Sequence, residues 1–375
     1  MSARRRSLPR WIEVGVIPIV NVAIAFLIAG LVVLLIGANP LEAVRILVYG
    51  AFGYPEAIGY TLYYATNFIF TGLAVALAFH AGLFNIGGEG QAYIGGLGVG
   101  LVLLAFDTTL PPPLLIPLAI IAAAAFGAAW AAVPACLQAY RGSHIVITTI
   151  MFNFIASALM VYLLVNVLIA PGSMSPETRE FAAGGQLPFI HDLLASAGIE
   201  MASSPLNVAI FLAIGCCVLA WVFLWHTPWG FEFRATGYNA QAAAYAGIKL
   251  RRVTLLAMCL SGALAGLVGV NEIAGVHHRL ILNFAAGYGF GGIAVALMGR
   301  NHPLGVILAS LLFGALYQGG AELAFEIPAI TKETVVVIQG LVILFCGALA
   351  NLPRAPLASL LALVRRGRPA LAGET

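Results

Sequence analysis

Polar side chains interrupt the long apolar runs of this chain, among them Asn67, Asn153, Asn271, Glu272 and Gln318. Polar and ionisable groups in lipid are costly, so they face a partner or a water-filled cavity and mark solute pathways. Aromatic residues accompany them at Tyr60, Tyr63, Tyr64, Phe68, Phe152, Phe154, Tyr288 and Phe290. Amides and a carboxylate can hydrogen-bond a polar solute, and rings can stack on its flat face, at about 1–3 kcal/mol per stacked base. Taken singly, each ring is better explained by ordinary packing or interface anchoring. Asn67, Phe68, Asn153, Asn271, Glu272 and Tyr288 are therefore the candidates for lining a solute path.

A second cluster is Phe79-His80-Ala81-Gly82-Leu83-Phe84-Asn85-Ile86-Gly87-Gly88-Glu89-Gly90-Gln91. Irregular backbone at membrane depth is tolerated only where protein or water covers its polar groups. That places Asn85, Gly87, Gly88, Glu89, Gly90 and Gln91 at the cytoplasmic mouth or beside a cavity. Glu89, near the start of the following helix, is favoured by the helix dipole and suited to a capping contact. A capped turn that locks two helices together is at least as good a reading as ligand contact. A phosphate loop is excluded, because no strand precedes the motif and no Gly-Lys-Ser/Thr follows it.

The chain contains no Gly-x-x-x-x-Gly-Lys-Ser/Thr anywhere, and neither Gly-x-Ser-x-Gly nor His-Glu-x-x-His occurs. If ATP drives this protein, another subunit binds it. The adjacent pair His277-His278, at an external turn, is poorly arranged to share one ion. Cys136, Cys216, Cys217, Cys259 and Cys346 lie within apolar runs without Cys-x-x-Cys spacing, which supports neither a disulfide framework nor a metal site.

The elements that must position these residues are membrane helices. Hydrophobic residues make up 61% of the chain and charged residues 9%, with a mean hydropathy of +0.99. A soluble domain carries about 25% charged residues. The apolar runs are continuous, without the alternation of barrel strands, so the fold expected is all-α and polytopic. Apolar runs at 14–38, 61–79, 114–136, 144–169, 206–226, 253–275, 287–299, 303–321 and 334–350, with an apolar piece that follows the glycine-rich interruption at 80–91 and ends at about 105, give about ten crossings. The 42 glycines suit helices packed backbone to backbone. The segments 80–105 and 283–299 are short and glycine-broken at comparable places in the two halves, which suggests discontinuous helices in an inverted repeat. Fourteen of the 18 Lys and Arg fall on one set of loops, so both termini are expected in the cytoplasm. The expected layout is a cytoplasmic N-terminus at 1–13, a membrane domain at 14–350 and a cytoplasmic tail at 351–375. The stretch 38–60 is expected to be a short outer interfacial segment, and 171–205 an outer cap or landing surface.

One polar connector, 227–252, stands apart. Asn239 is a good N-cap, Ala240 to Ala246 are helix formers, and Gly247 supplies a left-handed stop. The helix so defined is roughly 10 Å long, too short to persist unaided in water. Its neighbours Arg234, Lys249, Arg251 and Arg252 put it on the cytoplasmic face. It reads as a docking element, with a plain linker as the alternative.

The motif at 79–91, the run Phe233-Arg234-Ala235-Thr236-Gly237 followed by Asn239, and Ala243-Ala244-Tyr245-Ala246-Gly247-Ile248 together resemble the permease subunit of bacterial ABC importers. Gly299-Arg300-Asn301-His302-Pro303-Leu304-Gly305 fits too, and the likeness runs from the first span to the last. The broad family is the branched-chain amino acid and ribose type, and within it the chain looks most like nucleoside permeases served by a basic-membrane-protein lipoprotein. The resemblance implies that Gly237, Asn239, Ala243, Ala244, Gly247 and Ile248 belong to a coupling helix seated in a cytoplasmic ATP-binding-cassette subunit, which binds the ATP and Mg. It further implies a second permease, often non-identical, an extracytoplasmic binding lipoprotein, a bacterial inner-membrane location among lipids, and no nucleic-acid partner. Simple sugars or branched-chain amino acids are alternative cargoes. An ion-driven secondary transporter is disfavoured by the lack of a paired intramembrane acid–base relay, and an intramembrane enzyme by the lack of a nucleophile with its base.

Overall fold

The computed structural model describes residues 16–199 and 201–345. The expected termini at 1–13 and 351–375, with Cys346, lie outside the described residues. Among those described, the chain is all-helical, and its only extended pairings are isolated bridges at Glu177–Ile281 and Phe189–Asn207.

Of the described residues, 16–45 and 323–345 belong to one compact unit and those from 46 to 322 to another. In the first, α1 (Ile17–Leu35) packs along α14 (Lys332–Ile343). After α1 the chain turns through Gly37, at φ +87°, into α2 (Pro40–Phe52). The stretch 38–60 is thus largely helical: Pro40 opens α2, and Pro55 opens α3 with Glu56 in its first turn. Proline at that position gives up an N–H that the helix leaves unpaired anyway.

The second unit is built around α3 (Pro55–His80), nearly all of it buried. Against it pack α4 (Gly88–Phe106), α8 (Ala209–His226), α11 (Leu250–Gly266) and α12 (Tyr288–Met298), while α5 (Pro112–Arg141) and α6 (Ile145–Asn166) lie outside them on α4 and α11; α13 (Pro303–Glu326) follows α12. Short helices α7 (Ile190–Ser196), α9 (Pro228–Tyr238) and α10 (Ala240–Tyr245) lie in connectors. Where α5 crosses α11, a Cβ on Gly127 would run into the Gly262 carbonyl, and one on Gly262 into that of Gly127. Only glycine permits this backbone contact.

Beyond Gly266 the helix loosens into a π-helical turn, Val270–His277. Among the described residues, seven helices are long and apolar enough to cross a membrane, or eight if α1 and α2 are counted as one bent span. The count of about ten also included 287–299 and 334–350. Their helices, α12 and the described part of α14, have 11 and 12 residues, short of the ~20 that span the hydrocarbon core.

Candidate functional site

The π-helical turn places Glu272 at the centre of a buried polar cluster. Such turns are rare and concentrate at functional sites. Glu272 is 2% exposed. Its Oε1 accepts hydrogen bonds from the Tyr63 hydroxyl at 2.6 Å and from Asn67 Nδ2 at 2.5 Å, while Oε2 lies 3.4 Å from the half-exposed His277 ring. Asn67 Oδ1 in turn accepts from Asn271 Nδ2 at 2.9 Å, and Asn271 Oδ1 from Asn207 Nδ2 at 2.9 Å.

Tyr63 and Asn67 are four residues apart, so they sit on one face of α3. So do Tyr64 and Phe68, one step around the helix. Rings continue from Tyr63 through Tyr64 and Tyr317 to Phe68 and Tyr288, with neighbouring centroids 4.9–5.8 Å apart. Asn67 falls midway along the 26-residue α3, roughly 20 Å from either end at 1.5 Å per residue.

Of the expected path residues, Asn67, Phe68, Asn271, Glu272 and Tyr288 therefore converge. Asn153 does not join them. Its Oδ1 accepts from Gly90 N at 2.9 Å and its Nδ2 donates to the Ile86 carbonyl at 2.9 Å, tying α6 to the glycine-rich turn. Asn207 and Tyr317 belong to the constellation although neither stood out in the sequence. Asn207 sits at the edge of a loop, and Tyr317 is one aromatic residue in an apolar run.

The glycine-rich motif is a closed polar knot. Asn85 donates to Gln91 Oε1 and to Ser261 Oγ, both at 2.8 Å, and accepts from Gly87 N at 2.9 Å. Ser261 donates onward to the Ala74 carbonyl at 2.7 Å, which joins α11 to α3. Glu89 reaches beyond its own helix: its carboxylate accepts from Gly287 N at 2.9 Å and Gly289 N at 2.8 Å, at the start of α12. Gly289 lies so close that a Cβ there would overlap the Glu89 backbone. One carboxylate thus serves the positive ends of two converging helices. Replacing Glu89 with alanine strands the buried Gly289 N–H, at about 1–3 kcal/mol, and removes the acceptor of the partly buried Gly287 N–H. The expected result is a clear fall in thermal stability in detergent; Glu89→Gln, whose single amide oxygen can serve only one of two donors that now go to different oxygens, should recover only part of it.

At one end of the bundle, α9 and α10 lie beneath the spans. Thr227 Oγ1 caps α9 by accepting from Gly230 N at 3.1 Å, and Asn239 Oδ1 caps α10 by accepting from Ala242 N at 3.0 Å. Gly247 follows at φ +87°. Phe233 (1% exposed) plugs a core that includes Leu77, Ala135, Val253 and Met258. Gly237 rests against the end of α3, where a Cβ would strike the His80 carbonyl. In α10 itself only Ala243 is buried; Ala244 is exposed and Tyr245 is 95% exposed. The short helix is anchored through one small side chain and presents the rest of its surface outward.

At the opposite end, the 170–207 connector is strapped down. Arg179 forms a double ion pair with Asp107 at 2.7 and 2.9 Å, which holds the buried Asp107 carboxyl below the usual range for aspartate. Thr178 N donates to the Leu280 carbonyl and Phe181 N to that of His278, so the strap covers the turn after the π-helical segment. His278 stands in the left-handed region at φ +51° with its ring 5.6 Å from Phe189.

These features define an integral membrane protein with a buried polar centre between a strapped end and an end bearing an outward-facing short helix. Residues 57–347 match the family model described as Branched-chain amino acid transport system / permease component, and the chain belongs to that family. Its members are permease subunits of transporters, not enzymes. The chain is 36% identical to the guanosine ABC transporter permease protein of Bacillus subtilis, over 88% of this chain and 92% of that one. It is 35% identical to the glucose ABC transporter permease protein of Haloferax volcanii, over 91% and 89%. To the nucleoside ABC transporter permease protein of Lactococcus lactis it is 34% identical, over 88% and 89%. No solved structure matches it.

Proposed function

We propose that this chain is the membrane-spanning permease subunit of an ATP-driven importer for nucleosides, and that the solute passes the Glu272 cluster. The observation that carries the reading is a buried carboxylate on the π-helical turn, bonded to Asn67 midway along α3 and set beside a run of aromatic rings. Transporters of alternating-access type hold solute near the bilayer midplane. A carboxylate accepts hydrogen bonds from sugar hydroxyls and base N–H groups, and the rings offer faces to a base. Asn67, Asn271 and Tyr288 contribute to the same path, and Asn153 acts on it through the glycine-rich turn. The guanosine and nucleoside relatives support this cargo. The glucose relative favours a second reading, a simple sugar, in which hydroxyls alone meet Glu272.

The proposed machine places α10 in a groove of a cytoplasmic ATP-binding-cassette subunit that binds ATP and Mg. Closure of the ATPase pair moves α10 and switches access to the path. In this arrangement the membrane domain covers 14–350 and crosses about ten times, with α12 and α14 as the helical parts of discontinuous crossings, and both termini face the cytoplasm of a bacterial plasma membrane. The two glycine-broken segments, 80–105 and 283–299, are the related parts of an inverted repeat. A second, non-identical permease completes the path, and a lipoprotein delivers solute to the strapped end.

Uptake of radiolabelled adenosine and uridine, in cells with and without the gene, tests the cargo. Gene-dependent uptake that unlabelled nucleosides block, and ribose and leucine do not, is expected. Competition by glucose or ribose instead moves the cargo to sugars. Gene-independent uptake of every label overturns the proposal.

A further inference from the structure

A groove of about 440 Å³ runs between α3, α5, α8, α9 and α11, and no residue of the Glu272 cluster lines it. Its walls are apolar, formed by residues such as Leu77, Phe223, Trp229, Leu256 and Leu264, and no charged side chain lines it. One end is different. There Trp229 is half exposed, and the Arg252 guanidinium lies over its ring at 5.6 Å. Arg252 is itself exposed and enters no ion pair among the described residues. Lys249 and Arg251 stand beside it in sequence, and both are exposed.

Along α11 the lining runs from Leu256 to Leu267, about 16 Å at 1.5 Å per residue. That is close to the ~15 Å depth of one leaflet of a 30 Å hydrocarbon core. An apolar slot one leaflet deep, with an unpaired guanidinium and a tryptophan at its mouth, has the form of a phospholipid. Tryptophan is the residue that settles at headgroup level, and unpaired basic groups at that level attract anionic headgroups.

We infer that this groove holds one acyl tail of an anionic phospholipid, whose phosphate sits at Arg252. A zwitterionic lipid offers the same tail without net charge and binds more weakly. The tail fills the space between α8 and α11, and the headgroup lies at the level where α9 begins. Lipid bound there braces the attachment of α9 and α10 to the spans.

The test uses the full chain, extracted in mild detergent with whatever subunits accompany it. Retained phospholipid is quantified by extraction and mass spectrometry, before and after adding phosphatidylglycerol or phosphatidylcholine with matched tails. Phosphatidylglycerol is expected to be retained preferentially. Arg252→Gln should lower its retention about fivefold, the factor one basic group contributes at an anionic lipid surface, and Arg252→Lys should preserve it. Ala263→Phe, which narrows the slot, should reduce retention of both lipids. Because Arg252 is exposed, its two variants decide the matter even if Ala263→Phe fails to fold. Equal retention of the two lipids, or an Arg252→Gln protein that keeps its phosphatidylglycerol, overturns the inference. So does a Leu260→Cys variant that crosslinks to another polypeptide instead of reacting with a tail-labelled lipid, since a protein then occupies the groove.

Discussion

Glu272→Gln is expected to stay in the membrane in normal amount and to lose at least about nine-tenths of nucleoside uptake, equivalent to ~1.4 kcal/mol at the solute site. Glutamine has the shape of glutamate and keeps one acceptor oxygen. Turned so that this oxygen replaces Oε1, it still receives the Tyr63 and Asn67 donors, which come from one face of α3. What disappears is the charge. Hydrogen bonds to a charged group contribute about 1.5–3 kcal/mol against roughly 0.5–1.5 for neutral ones, and a solute that meets the carboxylate loses that difference at each contact.

Glu272→Ala is the contrasting case. It leaves the Tyr63 hydroxyl and the Asn67 amide without their acceptor in a buried site, so it should lower thermal stability as well as uptake. The comparison separates a structural carboxylate from a solute-binding one. Uptake by Glu272→Gln at the normal rate per molecule in the membrane would remove Glu272 from the path, whatever the alanine variant did.

What could be read from the sequence follows how local its cause is. The α10 helix was legible because its start and stop are written within nine residues: Asn239 caps it through a hydrogen bond to Ala242 N, and Gly247 takes the left-handed angle that ends it. The α9 helix before it was not legible. Gly230 and Gly237 look like helix breakers, yet each is needed for contact, one against the Leu224 backbone and one against the His80 carbonyl. Phe233, buried in the core, supplies the packing that outweighs two weak helix residues. Tertiary contact overrides propensity here.

The same contrast holds in the polar site. Tyr63 with Asn67, and Tyr64 with Phe68, show the four-residue spacing of a helix face. That Asn67 would meet Asn271 and Glu272, 204 and 205 positions away, was not written in either segment. Glu89 illustrates the limit sharply. Local reasoning assigns its carboxylate to the helix it begins, but the nearby N-terminus of α12 offers two backbone donors and takes it. Asn153, an intramembrane amide and so a fair path candidate, spends both ends of its side chain on the glycine-rich turn.

Ala244→Arg is expected to leave folding untouched and to abolish uptake. Ala244 is exposed on α10, and the helix meets the rest of the protein chiefly through Ala243, which is 4% exposed. A long charged side chain at Ala244 therefore collides with nothing inside this chain and should not move its melting temperature. If α10 seats in the groove of an ATPase subunit as proposed, the same side chain has no room there. A loss of at least about tenfold in uptake, or ~1.4 kcal/mol of docking, is expected, together with loss of the ATPase from the detergent-extracted complex.

Ala243→Glu must act differently, because it buries a charge at the anchor point and should lower stability along with uptake. Gly247 offers a third, independent probe. A Cβ there meets no atom within 4 Å, so only the backbone angle of +87° opposes substitution. Asparagine tolerates that region far better than a β-branched residue. Gly247→Asn should retain most uptake and Gly247→Val should lose it, even though both fit the space. An Ala244→Arg protein that imports nucleosides at the normal rate, with its ATPase still attached, would show that α10 joins two halves of the bundle and docks on nothing.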